Sequence, residues 1–219
     1  MKNNKLINKL IVAVLVFMMA GNLFAQNKGA LNLETVCECL AARPNTTGDF
    51  TQTKSLQTNG RKLKSSGKFI ISTFGILWKT EKPFPSSLIL TNDAMVQISA
   101  NGSKSVMSGK DNQIFSNISG TLSSVFSGNV SELKKNFNCD FADDNNGGWK
   151  VTLTPKDSTI AAVMNTLVLS GKCDVNSGTA VLDSLEMAET SGNSILYEFA
   201  NQKYPKELSE DEKQNFVIE

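Results

Sequence analysis

The chain has 219 residues, 40% hydrophobic and 20% charged, with a formal net charge of +1 and no histidine. That length and apolar content suit one globular domain with a sizeable core, and the near-zero charge lacks the basic excess of a nucleic-acid binder. The missing histidine excludes a Ser-His-Asp triad, a Cys-His pair and any His-ligated metal site.

Residues 10–20 are continuously apolar, follow Lys2, Lys5 and Lys9, and lead to a small residue at Ala25. This order reads as a secretory signal peptide over 1–25, with a single mature domain over 26–219. The apolar run is shorter than the roughly 20 residues a spanning helix needs, so cleavage is favoured over a membrane anchor. No cysteine stands at the junction, so a lipid-anchored product is not expected. The mature protein is expected in the periplasm, soluble and monomeric.

An amphipathic helix is expected over 31–43, ending near Pro44. Strands follow over 48–56 and 62–73, with a polar turn at Thr58-Asn59-Gly60 between them, then over 74–80, 86–91, 94–99 and 103–109. Over 111–128 the period changes to a helical one, through Ile114, Ile118, Leu122, Val125 and Phe126. Gly120 and several serines weaken that helix, so two short helices fit as well as one. Another short helix is expected over 131–137, with Ser131 as its N-cap. Strands resume over 139–143, 148–155, 163–171, 178–189 and 194–200, and the charged tail from Lys203 reads as a surface segment or a frayed helix. The pattern is one long antiparallel meander. A sheet of about ten strands tends to curl, so the fold class is mainly β (α+β): an unclosed antiparallel β-barrel with short α-helices as a lid over its open side.

Motifs for catalysis are missing. There is no G-x-S-x-G, P-loop or G-x-G-x-x-G, and the two S-x-x-K matches, at Ser65 and Ser131, lack companion motifs. No enzyme activity, metal or cofactor is therefore expected. Cys37 and Cys39 fall on the first helix, where i and i+2 point to nearly opposite sides, so joint chelation is not expected. Cys139 and Cys173 sit on two strands and are the candidate disulfide, which export would permit.

Alternation sorts the apolar residues of the first strands onto one face: Phe50, Phe69 and Ile71, Ile76 and Trp78, Leu88 and Leu90, Val96 and Ile98. Pattern alone favours a packed core over a ligand cavity.

A resemblance points the other way. Phe50-Thr51-Gln52 followed by Lys54, Ser66-Gly67-Lys68-Phe69, Leu77-Trp78 with Pro83, and Leu153-Thr154-Pro155-Lys156 occur in that order. Together with "LDSLEMAETSGNSILYEFAN" they resemble the LolA-type periplasmic lipoprotein carriers, from about Leu31 to Asn201. The resemblance implies a carrier that takes acylated lipoproteins from an inner-membrane ABC exporter and shields their acyl chains. It would deliver them to an outer-membrane acceptor; the alternatives are a relative carrying another lipid or amphiphile, and a non-enzymatic envelope interaction module with a packed interior. It also implies that the nine apolar strand residues line an acyl cavity which Ile114, Ile118, Leu122 and Phe126 face from the lid. Ser72-Thr73-Phe74 stands where better-known members have an Arg-Pro step that latches the lid, and the ending "ELSEDEKQNFVIE" also departs from the family.

Overall fold

The computed structural model describes residues 31–91, 93–108, 120–121 and 123–217. The signal-peptide expectation and the lid positions Ile114, Ile118 and Leu122 lie outside the described residues. No helix among the described residues is long and apolar enough to cross a membrane.

Among the described residues, eleven strands form one antiparallel sheet. They are β1 (Thr46–Ser55), β2 (Lys62–Ser72), β3 (Gly75–Lys82), β4 (Ser86–Leu90), β5 (Ala94–Ile98), β6 (Lys104–Ser108), β7 (Phe137–Asp143), β8 (Gly148–Pro155), β9 (Met164–Asp174), β10 (Thr179–Glu189) and β11 (Ser194–Lys203). The order is β6-β5-β4-β3-β2-β1-β11-β10-β9-β8-β7. This is not a single meander. Two meanders, β1–β6 and β7–β11, join where the first strand pairs with the last, with Phe50 opposite Phe199 and Gln52 opposite Tyr197. The ends, β6 and β7, do not pair with each other, so the sheet is not closed.

The sheet curls steeply. Trp78 on β3 and Tyr197 on β11 lie three strands apart, about 14 Å in a flat sheet. Their ring centroids are 5.7 Å apart. Phe69 on β2 and Phe199, two strands apart, are 4.8 Å apart. Two glycines allow this curl. A Cβ on Gly67 would meet Lys79 O at 2.0 Å, and one on Gly171 would meet Val181 O at 2.0 Å. Each glycine stands opposite an aromatic residue, Phe50 and Trp149 respectively, and next to a register shift.

Helices cover the inner face. α1 (Leu33–Ala41) starts where the Asn32 side chain accepts from the Thr35 N–H, and buries Leu33, Val36, Cys37, Cys39 and Leu40. Both cysteines are buried although they point apart, because α1 packs on β10 on one side and on α2 (Val130–Asn136) on the other. The N-cap of α2 is Asn129, not Ser131: its side chain accepts from Glu132 N–H, and Ser131 lies inside the helix. Phe137, expected in that helix, begins β7 and is buried. α3 (Ser158–Ala161), which the periodicity did not reveal, is capped by Asp157 accepting from Thr159 and Ile160 N–H. Residues 120–121 and 123–126 are helical. These helices and the inner face share one core that includes Leu153, Ile160 and Leu169, all fully buried.

The outer face of β2–β5 carries a second cluster of Ile70, Leu77, Ile89 and Val96, covered by Leu208 and Phe216. The tail is therefore docked rather than frayed. Asn45 donates to Pro205 O and Lys206 O at 3.3 and 2.9 Å, and α4 (Glu210–Gln214) begins with a reciprocal Ser209–Glu212 capping box. Phe216→Ala is expected to cost about 3 kcal/mol, the usual range for truncating a buried phenylalanine. Urea unfolding measures this, and an unchanged midpoint would mean that the tail adds nothing to the fold.

Candidate functional site

The inner face of β1–β5 is built from cross-strand rows. Phe69, Trp78 and Leu88 stand opposite one another in one row, and Ile71, Ile76 and Leu90 in the next. Phe50 joins them from β1, its ring centroid 5.8 Å from that of Tyr197. All except Leu88 are buried, and Leu88 is partly buried against the same cluster. The structure thus brings together Phe50, Phe69, Ile71, Ile76, Trp78, Leu88 and Leu90.

Val96 and Ile98 do not belong with them. Leu90 stands opposite Met95 and Ile89 opposite Val96, so Met95 faces inward while Val96 and Ile98 lie in the outer cluster. The β4–β5 turn sets this parity: Thr91 N–H donates to Ala94 O at 2.9 Å, closing a four-residue turn. Of the four expected lid positions, Phe126 is described, and it packs partly buried against the inner-face core.

Further inner-face residues come from the second meander. Ile195, Tyr197 and Phe199 alternate along β11, opposite Met187 and Leu185 on β10. Their period-two spacing in "SILYEFA" was visible, but their place beside β1 was not. Tyr197 and Met187 are partly buried against the core. Burial pushes the Tyr197 phenol up to about 12. The neutral phenol is the form the fold favours, so the stability it contributes is whole below about pH 10 and is lost as pH rises toward the folded value. Phenolate absorbance should therefore appear only above pH 10, together with loss of structure. Ordinary titration of both tyrosines in a folded protein would contradict this.

At one end of this face lies a cavity of about 290 Å³. Its apolar lining includes Ile71, Ile76, Leu90 and Phe126, and its polar lip includes Arg43, Ser72, Thr91 and Ser123. Arg43 is held by stacking over the Tyr204 ring at 3.9 Å and by donating to Ala180 O at 3.4 Å. The other end is polar. Lys54 pairs with Glu189 at 3.2 Å, and Ser65 Oγ donates to Gln52 Oε1 at 2.7 Å. Burial opposes the Glu189 charge, but hydrogen bonds from Asn193, Ser191 and Lys54 outweigh it and hold the carboxyl below its ordinary value.

Two indole N–H groups, on Trp78 and Trp149, are buried without an acceptor. A buried donor left unpaired costs about 1–3 kcal/mol. The arrangement is suited to holding apolar groups against a soft, aromatic and methionine-containing wall. Among the described residues no group of three or more His, Cys, Asp or Glu could hold a metal ion.

The expected Cys139–Cys173 bridge is not present: all four cysteines are free thiols. Cys139 lies in the row of Leu153 and Leu167, and Cys173 is six residues further along β9. Strand rise makes that about 20 Å, against the roughly 7 Å limit for Cα atoms in a disulfide.

The family model described as "Outer membrane lipoprotein carrier protein LolA" matches residues 44–214. No curated protein matches the sequence. Among solved structures, a DUF1329 family protein from Desulfovibrio piger is 12% identical over 81% of this chain and 92% of that chain, with a TM-score of 0.46. A LolA superfamily protein from Nitrosomonas europaea is 9% identical over 85% of this chain and 96% of that chain, with a TM-score of 0.43.

Proposed function

We propose that this chain, which belongs to the LolA family, is an exported carrier that shields the acyl chains of lipoproteins against its inner sheet face and moves them from the inner to the outer membrane. An inner-membrane ABC exporter would load it and an outer-membrane acceptor would unload it. The observation that carries this reading is the apolar inner face running into a cavity of about 290 Å³ under Phe126. That cavity is near the lower end, about 300 Å³, of small-ligand sites. The partly buried Leu88, Met95, Met187 and Tyr197 extend the apolar lining beyond it. The unpaired Trp78 indole N–H supplies a donor that an ester or amide carbonyl of an acyl group would satisfy.

Energetics agree with a surface of this softness. Each buried CH₂ is worth about 0.8 kcal/mol relative to water, so three chains of roughly sixteen carbons gain on the order of 30–40 kcal/mol gross. A membrane offers nearly the same gain. A carrier must therefore sit close to balance with the bilayer, which favours apolar contact over fixed charged anchors.

The test is binding of a fluorescent fatty-acyl probe to the delipidated protein, followed by competition. Saturable binding displaced by a synthetic triacylated lipopeptide is expected. Displacement by a phospholipid or glycolipid but not by the lipopeptide would replace lipoprotein with another lipid as cargo. No probe binding by a folded protein would overturn the carrier reading.

A further inference from the structure

We propose that Arg43 makes the lip of the cavity an anion-binding site, so that the cavity takes an alkyl chain ending in a carboxylate or a phosphate. This rests on the carrier reading in one respect: the cavity must accept an alkyl chain.

The guanidinium is built into place. The Arg43 backbone N–H donates to Leu40 O at 3.1 Å, which extends the last turn of α1 and brings the residue to the cavity. Its Nη1 donates to Ala180 O at 3.4 Å, and the group lies 3.9 Å from the centroid of the Tyr204 ring. Tyr204 is held in turn. Its O–H donates to Gln202 Oε1 at 3.1 Å, and Gln202 Nε2 donates to Leu182 O at 2.7 Å. These contacts orient the guanidinium and leave most of its five N–H donors unused. Among the described residues no carboxylate forms an ion pair with it. The opposite end of the inner face differs, because Lys54 there is neutralised by Glu189 at 3.2 Å. A planar cation held against an aromatic face without a counter-charge is suited to a bidentate pair with a carboxylate or phosphate.

The rest of the cavity sets what the anion is attached to. Ile71, Ile76, Leu90 and Phe126 supply its apolar lining. At the lip, the Ser72 hydroxyl donates to Gly75 O at 3.3 Å and the Thr91 hydroxyl to Ala94 O at 3.2 Å, so both protons are spent inside the protein. A sugar finds few partners here, and a bare inorganic anion leaves the apolar lining unused. A chain with one charged end uses both. The cation adds about tenfold or more in affinity, the scale of a charge-assisted hydrogen bond. That is small beside the gain from burying a chain, so the near balance with a bilayer is kept.

The experiment displaces the fluorescent fatty-acyl probe from the delipidated protein with decanol, decanoate or decyl phosphate, and repeats this with Arg43→Gln and Arg43→Lys. An apolar cavity alone would prefer the alcohol, because burying an unpaired charge is costly. The reverse is expected: an anion displaces the probe at about one tenth of the decanol concentration. Arg43→Gln should remove that preference with decanol displacing as before, and Arg43→Lys should keep part of it. A preference for decanoate alone or decyl phosphate alone would support the site and name its head group. Decanol matching or exceeding both anions on the unmutated protein would overturn the proposal and leave the carrier reading standing; this comparison needs no variant to fold. An anion preference that survives in a folded Arg43→Gln protein would overturn it too, as would inorganic phosphate acting as well as decyl phosphate. A folded protein that binds no probe would overturn the carrier reading and this proposal together.

Discussion

Gly67→Val is expected to destabilise the protein by 3 kcal/mol or more, among the largest effects of any single substitution in the chain. A Cβ at this position would sit 2.0 Å from Lys79 O and 2.8 Å from Thr80 Cα. Both obstacles are backbone atoms of β3, so no side chain can rotate away. Relief would require parting β2 from β3 at the register shift between Ser66 and Gly67, where the curl concentrates. Gly171→Val should behave alike, since its Cβ would meet Val181 O at 2.0 Å and the Trp149 ring at 3.0 Å. The contrasting variant is Gly120→Ala. Nothing lies within 4 Å of a Cβ there, and the residue is helical, so a neutral or slightly stabilising effect is expected. Urea midpoints for the three variants decide the matter. Equal midpoints would mean that the sheet curls without needing these close approaches.

Trp78→Glu is expected to reduce acyl-probe affinity at least a hundredfold. Trp78 stands between Phe69 and Leu88 in the central row, and its ring lies against Tyr197. A carboxylate there meets apolar neighbours, and its desolvation adds several kcal/mol to the cost of bringing in an acyl chain. Because Trp78 is only 8% exposed, this substitution also strains the fold. Leu88→Glu separates the two effects. Leu88 is partly buried in the same row, so the domain should keep its circular dichroism and cooperative unfolding while probe binding falls at least tenfold. A folded Leu88→Glu protein with undiminished binding would show that the guest does not use this face. Trp78→Phe keeps an aromatic ring in the row but removes the indole N–H together with part of the ring volume. Its affinity should fall a few-fold if a carbonyl accepts that hydrogen bond.

The strands were legible in the sequence because period-two alternation and turn residues are local signals. The inner positions on β2, β3 and β4 followed from the same alternation. It failed between β4 and β5. Leu90 and Met95 share a face because a four-residue turn sets the parity, and alternation within a strand carries no information across a turn. The pairing of β1 with β11 was hidden for a related reason. It joins segments about 150 residues apart, and nothing local records it. The Cys139–Cys173 pairing failed because six residues of β9 separate the two rows, an offset that no local pattern records. The tail misled by composition. Its few apolar residues stand among charges, yet Ser209 followed by Glu212 is a capping-box signature that marks an ordered helix start.

A closed barrel is a hoop: its circumference is fixed by ladders that run all the way round. Here the hoop is a strip whose ends, β6 and β7, do not pair with one another. Its radius can therefore change continuously, by small increments of twist and coil at each joint, with every rung of the β1–β11 centre kept. Swelling of that kind has no quantum of cost and demands no particular guest size. A protein built this way is compliant across its girth and stiff along its strands. A filled and an emptied form would then share the same slow amide exchange at β1 and β11 while differing in the span from β6 to β7.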